Sequence, residues 1–526
     1  MVDTLLLNAN VVPMTGVRAR ASAIAIAGER IAAIGSESEL APLAAGARAI
    51  DLGGATVLPG LIDTHVHLAR TGLRAVGPSL PGCATVRELV AGIAQVSAAW
   101  PDDEALLVIG GAVRGLDREP TCHDLDAAVG SRPVLLADPS AHVSLASSAA
   151  LAAVDFAGDR RGVLAGSDGE PTGVLVTWAN KRARRHFHSR IPRQRLRDGV
   201  RRAIAEASAR GVTAIHAMDG GDYLGDGDVD VLLELVDTVP MHLVIYEQVL
   251  DAAAVVAHGF PRIGGCILID GSYGERTAAL LDPYADLPTE RGVLFHDDAV
   301  IEAFVRDAHA RGLQIAVHAQ GDAAVEQILG AYEKALAALP RADARHRIEH
   351  CGLPTADQLA RVARLGIGLG MQPIFAGPST ILEGLLGPER MARRHRYRDL
   401  ANKGIVVGGG SDADSSPIDP LAGVRVAVAL DDSRRLSAYE ALELYTTKAA
   451  WLAFEEGERG ALRPGMLADL AVLDRDPIAV PAAELADIRV LQTWRSGRAV
   501  FERDGGVHEW SPMHSGYERR EVARGR

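Results

Sequence analysis

Short apolar runs alternate with helix-patterned segments through the middle of the chain. Helical periodicity precedes many of these runs, for example in residues 194–210, before "GVTAIHAMD". Alternating strands and helices are typical of parallel α/β folds, and eight repeats predict a closed TIM-type (β/α)8 barrel. The eight predicted strands are "LPGLIDTHVH", "GVTAIHAMD", "MHLVIYEQV", "GGCILIDGS", "LQIAVHAQGD", "HRIEHCG", "IGLGMQP" and "GIVVGGGSDAD".

The two ends of the chain have a different pattern. Residues 1–57 are short β-like runs separated by turns, such as "TLLLNANVV", and residues 456–505 have the same texture in "GALRPGMLADLAVLD" and "VLQTWRSGRAVFE". We expect both ends to pair into one small β-sandwich-like domain beside a barrel that covers residues 58–455. Residues 506–526 are polar and predict a loose C-terminal tail.

Residues from about 70 to 190 interrupt the alternation. They contain extra strand-like runs, "EALLVIGG" and "RPVLLAD", before the helical repeat resumes. We interpret this segment as a long insertion after the first barrel strand that shapes the pocket above the barrel. A chain of 526 residues is long enough for one large domain and a minor one.

Composition narrows the classes of function. The net charge of −13 and the lack of a basic patch with interleaved aromatic residues argue against a nucleic-acid partner. No apolar run approaches the roughly 20 residues that a membrane span needs. The start "MVDTLLLNANVVPMTG" carries an early aspartate and no basic region, so we do not expect a signal peptide. The four cysteines form no C-x-x-C pair and are typical of a reducing cytoplasm.

Polar residues that bind metals stand at the ends of the predicted barrel strands. His65 and His67 are two residues apart on the first strand, so a β conformation sends both imidazoles to one side. His318, His350 and Asp412 end or follow three later strands. In a TIM barrel these ends surround one crevice, so the pattern predicts a metal site, although each histidine alone could be a hydrogen-bonded structural residue.

Several motifs together resemble a known family. "LPGLIDTHVH", "HAQGD", "RIEHC" and "GSDAD" are similar to the metal-dependent amidohydrolase superfamily. "IDGSYGERTAALLDPYAD", "GSDADSSPIDPLAGVRVAV", "LSAYEALELYTTKAAW" and "GALRPGMLADLAVLDRDP" resemble its amidohydrolase-3 branch, which includes YtcJ-like proteins and N-substituted formamide deformylases. The likeness runs from about residue 2 to 503 and does not specify the substrate.

The resemblance implies roles for these residues. His65 and His67 would bind the more buried metal with Asp412, and His318 and His350 would bind a second, more exposed metal. Many family members bridge the two metals with a carboxylated lysine about four residues before a "DGS" triplet.

This chain departs from that pattern. Cys266 stands four residues before Asp270 of its "DGS", and the chain has only four lysines, none of which is well placed to substitute. A thiolate binds zinc strongly and can bridge two ions. We therefore expect Cys266 to replace the lysine as a metal ligand; the alternative is a small buried cysteine beside a single metal bound elsewhere.

Five further residues are candidates for substrate contacts. His142 comes from the insertion, and His216 lies near the end of an earlier strand; a structural role is the alternative for each. Arg276 could hold a substrate carboxylate, or it could form an ion pair within the protein. Tyr273 and Trp178 could offer pocket surface. No dinucleotide-binding unit is evident, and "GGGSDAD" lacks the Lys-Ser/Thr of a phosphate-binding loop.

The predicted function is a zinc-dependent hydrolase, with one or two ions, that cleaves a carbon–nitrogen bond other than a peptide bond in an amide, formamide or N-acyl compound. Asp412 would be both a ligand and the proton shuttle. Hydrolysis of a carboxylic ester or a lactone is an alternative, and so is a catalytically weak regulatory protein that keeps its metal. The expected partner is a small-molecule substrate, and the family suggests a homodimer.

Overall fold

The structure, a computed structural model, describes residues 1–80, 82–101, 106–111, 113–138, 142–221 and 227–507. The first six strands are β1 Thr4–Leu7, β2 Asn10–Val11, β3 Ala23–Ala27, β4 Arg30–Gly35, β5 Arg48–Asp51 and β6 Thr56–Pro59. The first barrel strand and the strands of the insertion follow as β7 Leu61–Val66, β8 Leu106–Ile109, β9 Val134–Ala137, β10 Val143–Ala146, β11 Val163–Ala165 and β12 Pro171–Val176.

The remaining strands complete the barrel and the C-terminal part of the small domain. The barrel strands are β13 Val212–Asp219, β14 His242–Glu247, β15 Arg262–Ile263, β16 Gln314–Ala319, β17 Arg347–His350, β18 Gly368–Met371 and β19 Val407–Gly409. The last strands are β20 Leu470–Leu473, β21 Val490–Arg495, β22 Arg498–Glu502 and β23 Gly506–Val507.

Helices cover the barrel and fill the insertion. The first nine are α1 Glu37–Leu40, α2 Leu68–Val76, α3 Val86–Ala99, α4 Cys122–Val129, α5 Ser148–Ala153, α6 Thr177–His188, α7 Arg193–Ser208, α8 Gly227–Leu235 and α9 Ala252–Ala257. The others are α10 Asp298–Ala310, α11 Asp322–Ala338, α12 Ala356–Leu365, α13 Thr380–Arg393, α14 Tyr397–Asn402, α15 Pro420–Ala429, α16 Ala438–Glu443 and α17 Thr447–Leu452. Within the described ranges, no helix is both long enough and apolar enough to cross a membrane.

The predicted TIM-type barrel is confirmed. Eight parallel strands are hydrogen-bonded in the order β7, β13, β14, β15, β16, β17, β18 and β19. The sheet closes where Val66 pairs with Ala413, just beyond β19. At this seam the Asp412 N–H donates to the His65 carbonyl at 2.8 Å, and the His67 N–H donates to the Ala413 carbonyl at 2.8 Å. Closure therefore brings residues from the two ends of the barrel sequence together.

The fourth barrel strand differs from the prediction. We expected it at "GGCILIDGS", residues 264–272, but the paired residues are Arg262 and Ile263. Gly264 and Gly265 then adopt positive φ values of 98° and 61°, which glycine adopts readily. The strand ends here because extended backbone has negative φ values. The chain rejoins the sheet only at Leu268, which bridges to His318. Cys266 therefore lies on a bend at the barrel edge.

Both chain ends build the small β domain. β6 pairs antiparallel with β20, so a strand from the N-terminal segment joins one from the C-terminal segment in a six-stranded sheet. A second sheet contains β4, β3, β1 and β5 in that order. Apolar residues of both sheets share one core, including Leu6, Ile24, Val57, Leu470 and Trp494, and this confirms the β-sandwich-like arrangement.

The six-stranded sheet extends slightly into the predicted tail, because Gly506 and Val507 form β23. The rest of that tail, residues 508–526, lies outside the described residues.

The insertion forms its own layer beside the barrel. Its strands make a five-stranded sheet in the order β11, β12, β10, β9 and β8. Leu89 and Ile93 of α3 pack on this sheet against Val108, Leu136 and Leu145. The insertion therefore has a separate hydrophobic core that holds its loops beside the barrel.

Candidate metal centre

The two histidines of β7 meet Asp412 at the barrel seam. His65 Nε2 lies 3.5 Å from Asp412 Oδ1, and His67 Nε2 lies 3.3 Å from the same oxygen. Strand alternation sends both imidazoles inward, and barrel closure places Asp412 opposite them. These three residues form one group that could hold a metal ion, with all ligand atoms within 4.8 Å of one another.

A second group forms around the thiol of Cys266. Its Sγ lies 3.7 Å from His318 Nδ1 and 3.8 Å from His350 Nε2. His65, Cys266 and His350 also have ligand atoms that lie within 4.8 Å of one another. His65 therefore belongs to both groups, and the structure brings all six predicted ligands together.

Each of the four imidazoles is oriented by a hydrogen bond from the ring nitrogen that faces away from the cluster. His65 Nδ1 pairs with Glu349 Oε2 at 2.8 Å, His67 Nδ1 with the Met218 carbonyl at 2.7 Å, His318 Nε2 with the Gly271 carbonyl at 3.1 Å, and His350 Nδ1 with Gln372 Oε1 at 2.7 Å. These acceptors hold a proton on the outer nitrogen. When a metal is bound, the inner nitrogen can give up its own proton and offer its lone pair, as in protein metal sites.

His65 Nε2 provides an independent sign that a metal fits here. This atom is buried and has no hydrogen-bond partner in the described part of the chain. An unsatisfied buried nitrogen is costly in a folded protein. A metal ion bound between the imidazoles, the thiol and the carboxylate would satisfy it, so the donor set fits a metal centre.

Unusual backbone geometry turns two of these side chains toward the cluster. His350 has φ of 69° and Asp412 has φ of 54°, values that non-glycine residues seldom adopt. In a regular strand, Glu349 and His350 would point to opposite faces. The left-handed backbone at His350 ends that alternation, and both side chains contact the cluster.

The neighbouring glycines allow close packing. A Cβ atom on Gly410 would lie 2.6 Å from the Cβ of His65, so any side chain there would displace this histidine. The glycines of "GGGSDAD" thus serve the packing of the barrel seam.

The electrostatics of the cluster favour the anionic forms of the Cys266 and Asp412 side chains. Burial raises the pKa of the Cys266 thiol, but the neighbouring His65 and hydrogen bonds with His318 and His350 outweigh burial and hold the pKa well below its usual range. Burial also raises the pKa of Asp412, yet the hydrogen bond with His67 and the charges of His65 and His350 hold it well below its usual range. Both side chains are therefore suited to bind a cation.

Comparison with known proteins identifies the family. Residues 48–501 match the amidohydrolase family Amidohydro_3. The chain belongs to this family. YtcJ of Bacillus subtilis (strain 168), which is named as an amidohydrolase, is 30% identical over 486 residues, which are 86% of this chain and 90% of YtcJ. The N-substituted formamide deformylase of Arthrobacter pascens is 27% identical over 561 residues, which are 96% of this chain and 99% of that protein.

A solved structure supports the metal dependence of this fold. An uncharacterized metal-dependent hydrolase from Pyrococcus furiosus superposes with a TM-score of 0.73 and 27% identity, covering 90% of this amidohydrolase and 99% of that chain. The resemblance stated from sequence motifs is thus confirmed for the family.

Among the predicted substrate contacts, His142 is the one that the structure brings beside the metal-binding cluster. Its ring centre lies 5.8 Å from that of His318. Burial, followed by the nearby His318, lowers the pKa of His142 to about 3, so its imidazole is neutral at pH 7. The insertion of this amidohydrolase therefore reaches the cluster.

Three other candidates form hydrogen bonds or ion pairs with other residues of the amidohydrolase. His216 Nδ1 accepts a hydrogen bond from Arg347 Nη1 at 2.9 Å inside the barrel. Arg276 forms an ion pair with Asp286 in its own loop, the alternative that we had considered for it. The Tyr273 hydroxyl donates to the Gln320 carbonyl at 2.6 Å, which holds the chain after β16. These contacts hold the three side chains within the protein, and their roles in substrate binding stay predictions.

Trp178 packs between the insertion and the barrel. Its ring lies 5.3 Å from Phe295 and 6.2 Å from His296, and the cationic groups of Arg161 and Lys181 lie 5.6 Å and 5.5 Å from its centre. This partly buried tryptophan stabilises the contact between the two layers, and its role in substrate binding stays a prediction.

Sequence reasoning missed the residues that orient the imidazoles. Glu349 and Gln372 hold His65 and His350, and Arg347 holds Glu349. One signal was available in "RIEH", where an arginine and a glutamate occupy a predicted barrel strand. Two opposite charges two residues apart on such a strand indicate a buried pair on one face.

Proposed function

We propose that this amidohydrolase uses a zinc centre to hydrolyse a carbon–nitrogen bond other than a peptide bond in an amide, formamide or N-acyl compound. The observation that carries the proposal is the convergence of four oriented imidazoles, a thiol and a carboxylate at one end of the barrel. Full-length similarity to an N-substituted formamide deformylase supports a formamide or related amide as the substrate class.

The two groups suggest how one or two ions would be held. His65, His67 and Asp412 would hold one ion, and His318 and His350 would hold a second. Cys266 lies beside His318 and His350 and groups with His65, which suits a ligand shared between both positions. Imidazole with thiolate favours zinc over harder metals such as magnesium.

Zinc bound here would supply a water of lowered pKa and a Lewis acid for the substrate carbonyl. Asp412 would accept the proton of the attacking water, because its carboxylate is ionised and 16% of its side chain is exposed, more than for His65 or His67. A carbon–oxygen bond forms, and the carbon–nitrogen bond breaks as Asp412 returns the proton to the leaving nitrogen. The products are a carboxylic acid and an amine.

The residues around the cluster would position the substrate. The neutral imidazole of His142 can donate or accept a hydrogen bond without adding charge beside the metal ligands. Glu349, Met218, Gly271 and Gln372 hold the four imidazoles in place throughout the reaction. Catalysis would then rely on fixed ligands and on one mobile proton at Asp412.

The proposals for the partners and the cellular location of the enzyme rest on sequence features. A net charge of −13 supports a small-molecule substrate over a nucleic acid or membrane partner. The four cysteines form no C-x-x-C pair in the sequence, which supports a cytoplasmic location. The homodimer stays a prediction from the family.

A substrate panel tests the proposed reaction. Protein loaded with zinc is assayed on N-formyl and N-acetyl amines, on esters with the same acyl groups, and on lactones, with release of amine or acid as the measurement. We expect turnover of at least one formamide or amide, and at least a 100-fold loss after chelation of the metal, because uncatalysed amide cleavage is slow. Turnover restricted to esters or lactones would replace the proposal with the esterase alternative, and no turnover on any compound would favour a metal-binding regulatory protein.

A further inference from the structure

We propose that Arg347 and Glu349 form a positioning pair inside the barrel that orients His65 for metal binding and strengthens the metal position that His65 forms with His67 and Asp412. This inference deepens the proposed function and rests on it. Neither residue is a metal ligand; each would act through His65.

The contacts of Glu349 join the pair to the centre. Its Oε2 accepts from His65 Nδ1 at 2.8 Å and from Arg347 Nη2 at 3.0 Å, while its Oε1 accepts from Arg347 Nε at 2.8 Å. The guanidinium and the carboxylate thus face each other in the two-bond geometry that fixes both planes. A carboxylate held in this way defines the direction of the third bond, to His65.

Arg347 is in turn fixed by three other barrel strands. Its remaining N–H groups donate to the Thr64 carbonyl of β7 at 3.0 Å, to His216 Nδ1 of β13 at 2.9 Å and to the Tyr246 hydroxyl of β14 at 3.0 Å. All five guanidinium donors therefore have an acceptor. The pair has one available position, because moving Arg347 would break bonds to several strands together.

The space around the pair is equally restricted. Arg347 and Glu349 are both fully buried. A Cβ atom on Gly370 of β18 would lie 2.0 Å from Glu349 Oε2 and 2.9 Å from Arg347 Nη2, so the strand beside β17 is shaped to the two side chains. Water and alternative rotamers are excluded on that side.

His65 is the imidazole whose orientation matters most. It belongs to both groups of potential ligands, and its one free ring nitrogen can bind one ion. Its outer nitrogen faces a charged carboxylate, but His67 and His350 face the neutral oxygens of Met218 and Gln372. Partners of this kind typically change metal affinity about 10–100-fold when they are lost. Removing the pair would therefore weaken the metal position that His65 forms with His67 and Asp412.

Zinc affinity measured by competition with a chromophoric chelator tests the inference. The main variant is Arg347→Met with Glu349→Leu, which removes both charges together and leaves no unpaired ion. A matched control is Arg459→Met with Asp469→Asn, a second buried pair, with Nη1 and Oδ2 2.9 Å apart, at the small β domain. We expect the main variant to bind zinc about 10–100-fold more weakly than wild type, and the control to bind it like wild type even if its melting temperature falls.

Glu349→Gln provides a graded second test, because the amide oxygen can still accept from His65 without carrying charge. We expect its affinity to lie between those of wild type and the main variant, and it also serves if the main variant fails to fold. Wild-type zinc affinity in either folded variant, or an equal loss in the control, would overturn the inference while leaving the proposed function intact. A wild-type protein that binds no zinc would overturn both.

Discussion

Asp412→Asn is expected to lower turnover by about 10²–10⁴-fold while most of the zinc stays bound. The asparagine keeps the size and one oxygen of the aspartate beside His65 and His67, so the ligand geometry survives. It cannot accept the proton of the attacking water or return it to the leaving nitrogen. Turnover on the best substrate of the panel and zinc content by elemental analysis are measured on the same preparation.

The control for this variant is Asp251→Asn. Asp251 caps α9 by accepting from the N–H groups of Ala253 and Ala254, and asparagine caps helices about as well as aspartate does. We expect wild-type turnover from this control. Near-normal turnover in Asp412→Asn with full metal content would contradict the role of Asp412 as proton shuttle.

Cys266→Ser is expected to reduce zinc affinity at least roughly 100-fold, because losing a ligand should cost more than losing an outer partner. A serine hydroxyl is a much weaker zinc ligand than a thiolate, and it cannot readily replace the sulfur beside His318 and His350. Activity at limiting zinc should fall with the metal content. Absorption of the cobalt-substituted protein gives a second measurement, since a thiolate–cobalt charge-transfer band should be present in wild type and absent in the variant.

Cys122→Ser is the matched control for Cys266→Ser. Cys122 is also buried, but it lies in α4 of the insertion, where its Sγ is 3.5 Å from the Pro171 carbonyl. This variant should keep the zinc content, the cobalt spectrum and the activity of wild type. If Cys266→Ser keeps all three as well, Cys266 is a small buried residue and no ligand.

The positions of the ligands along the chain could be predicted because the carboxyl ends of parallel strands meet in one place. Once the eight strands were recognised, His65, His318 and His350 had to lie near the same crevice. Asp412 followed from closure of the barrel, which places the end of β19 beside β7. These conclusions depend only on the order of the strands in the barrel, and the alternation of strands and helices along the sequence predicts that order.

The direction of individual side chains could not be predicted in the same way. His216 lies on a barrel strand as His65 does, yet its ring turns to Arg347 in the barrel interior. For Arg276 the sequence left open a substrate carboxylate or an ion pair within the protein, and the structure pairs it with Asp286, ten residues further along. Which group a side chain contacts depends on distances of a few ångströms in the folded chain, and strand or loop patterns do not contain that information.

Local backbone conformation was the second feature that could not be predicted from the sequence. The glycines at 264 and 265 belonged to an apolar run that predicted a strand, but their positive φ values turn the chain and place Cys266 on a bend. The left-handed backbone at His350 lets Glu349 and His350 both contact the centre. Strand alternation assigns only one of two adjacent residues to a given face, so the role of Glu349 stayed hidden.

The central claim is that distant histidines, a cysteine and an aspartate share bound metal, and elemental analysis of protein purified without added metal tests it most directly. Wild type, His67→Ala and His123→Ala are compared; His123 is an exposed histidine in the insertion and serves as the control. We predict at least one tightly bound zinc ion per chain in wild type and His123→Ala, and a clear loss in His67→Ala. Wild-type protein that carries almost no metal and takes up none from added zinc would contradict the account.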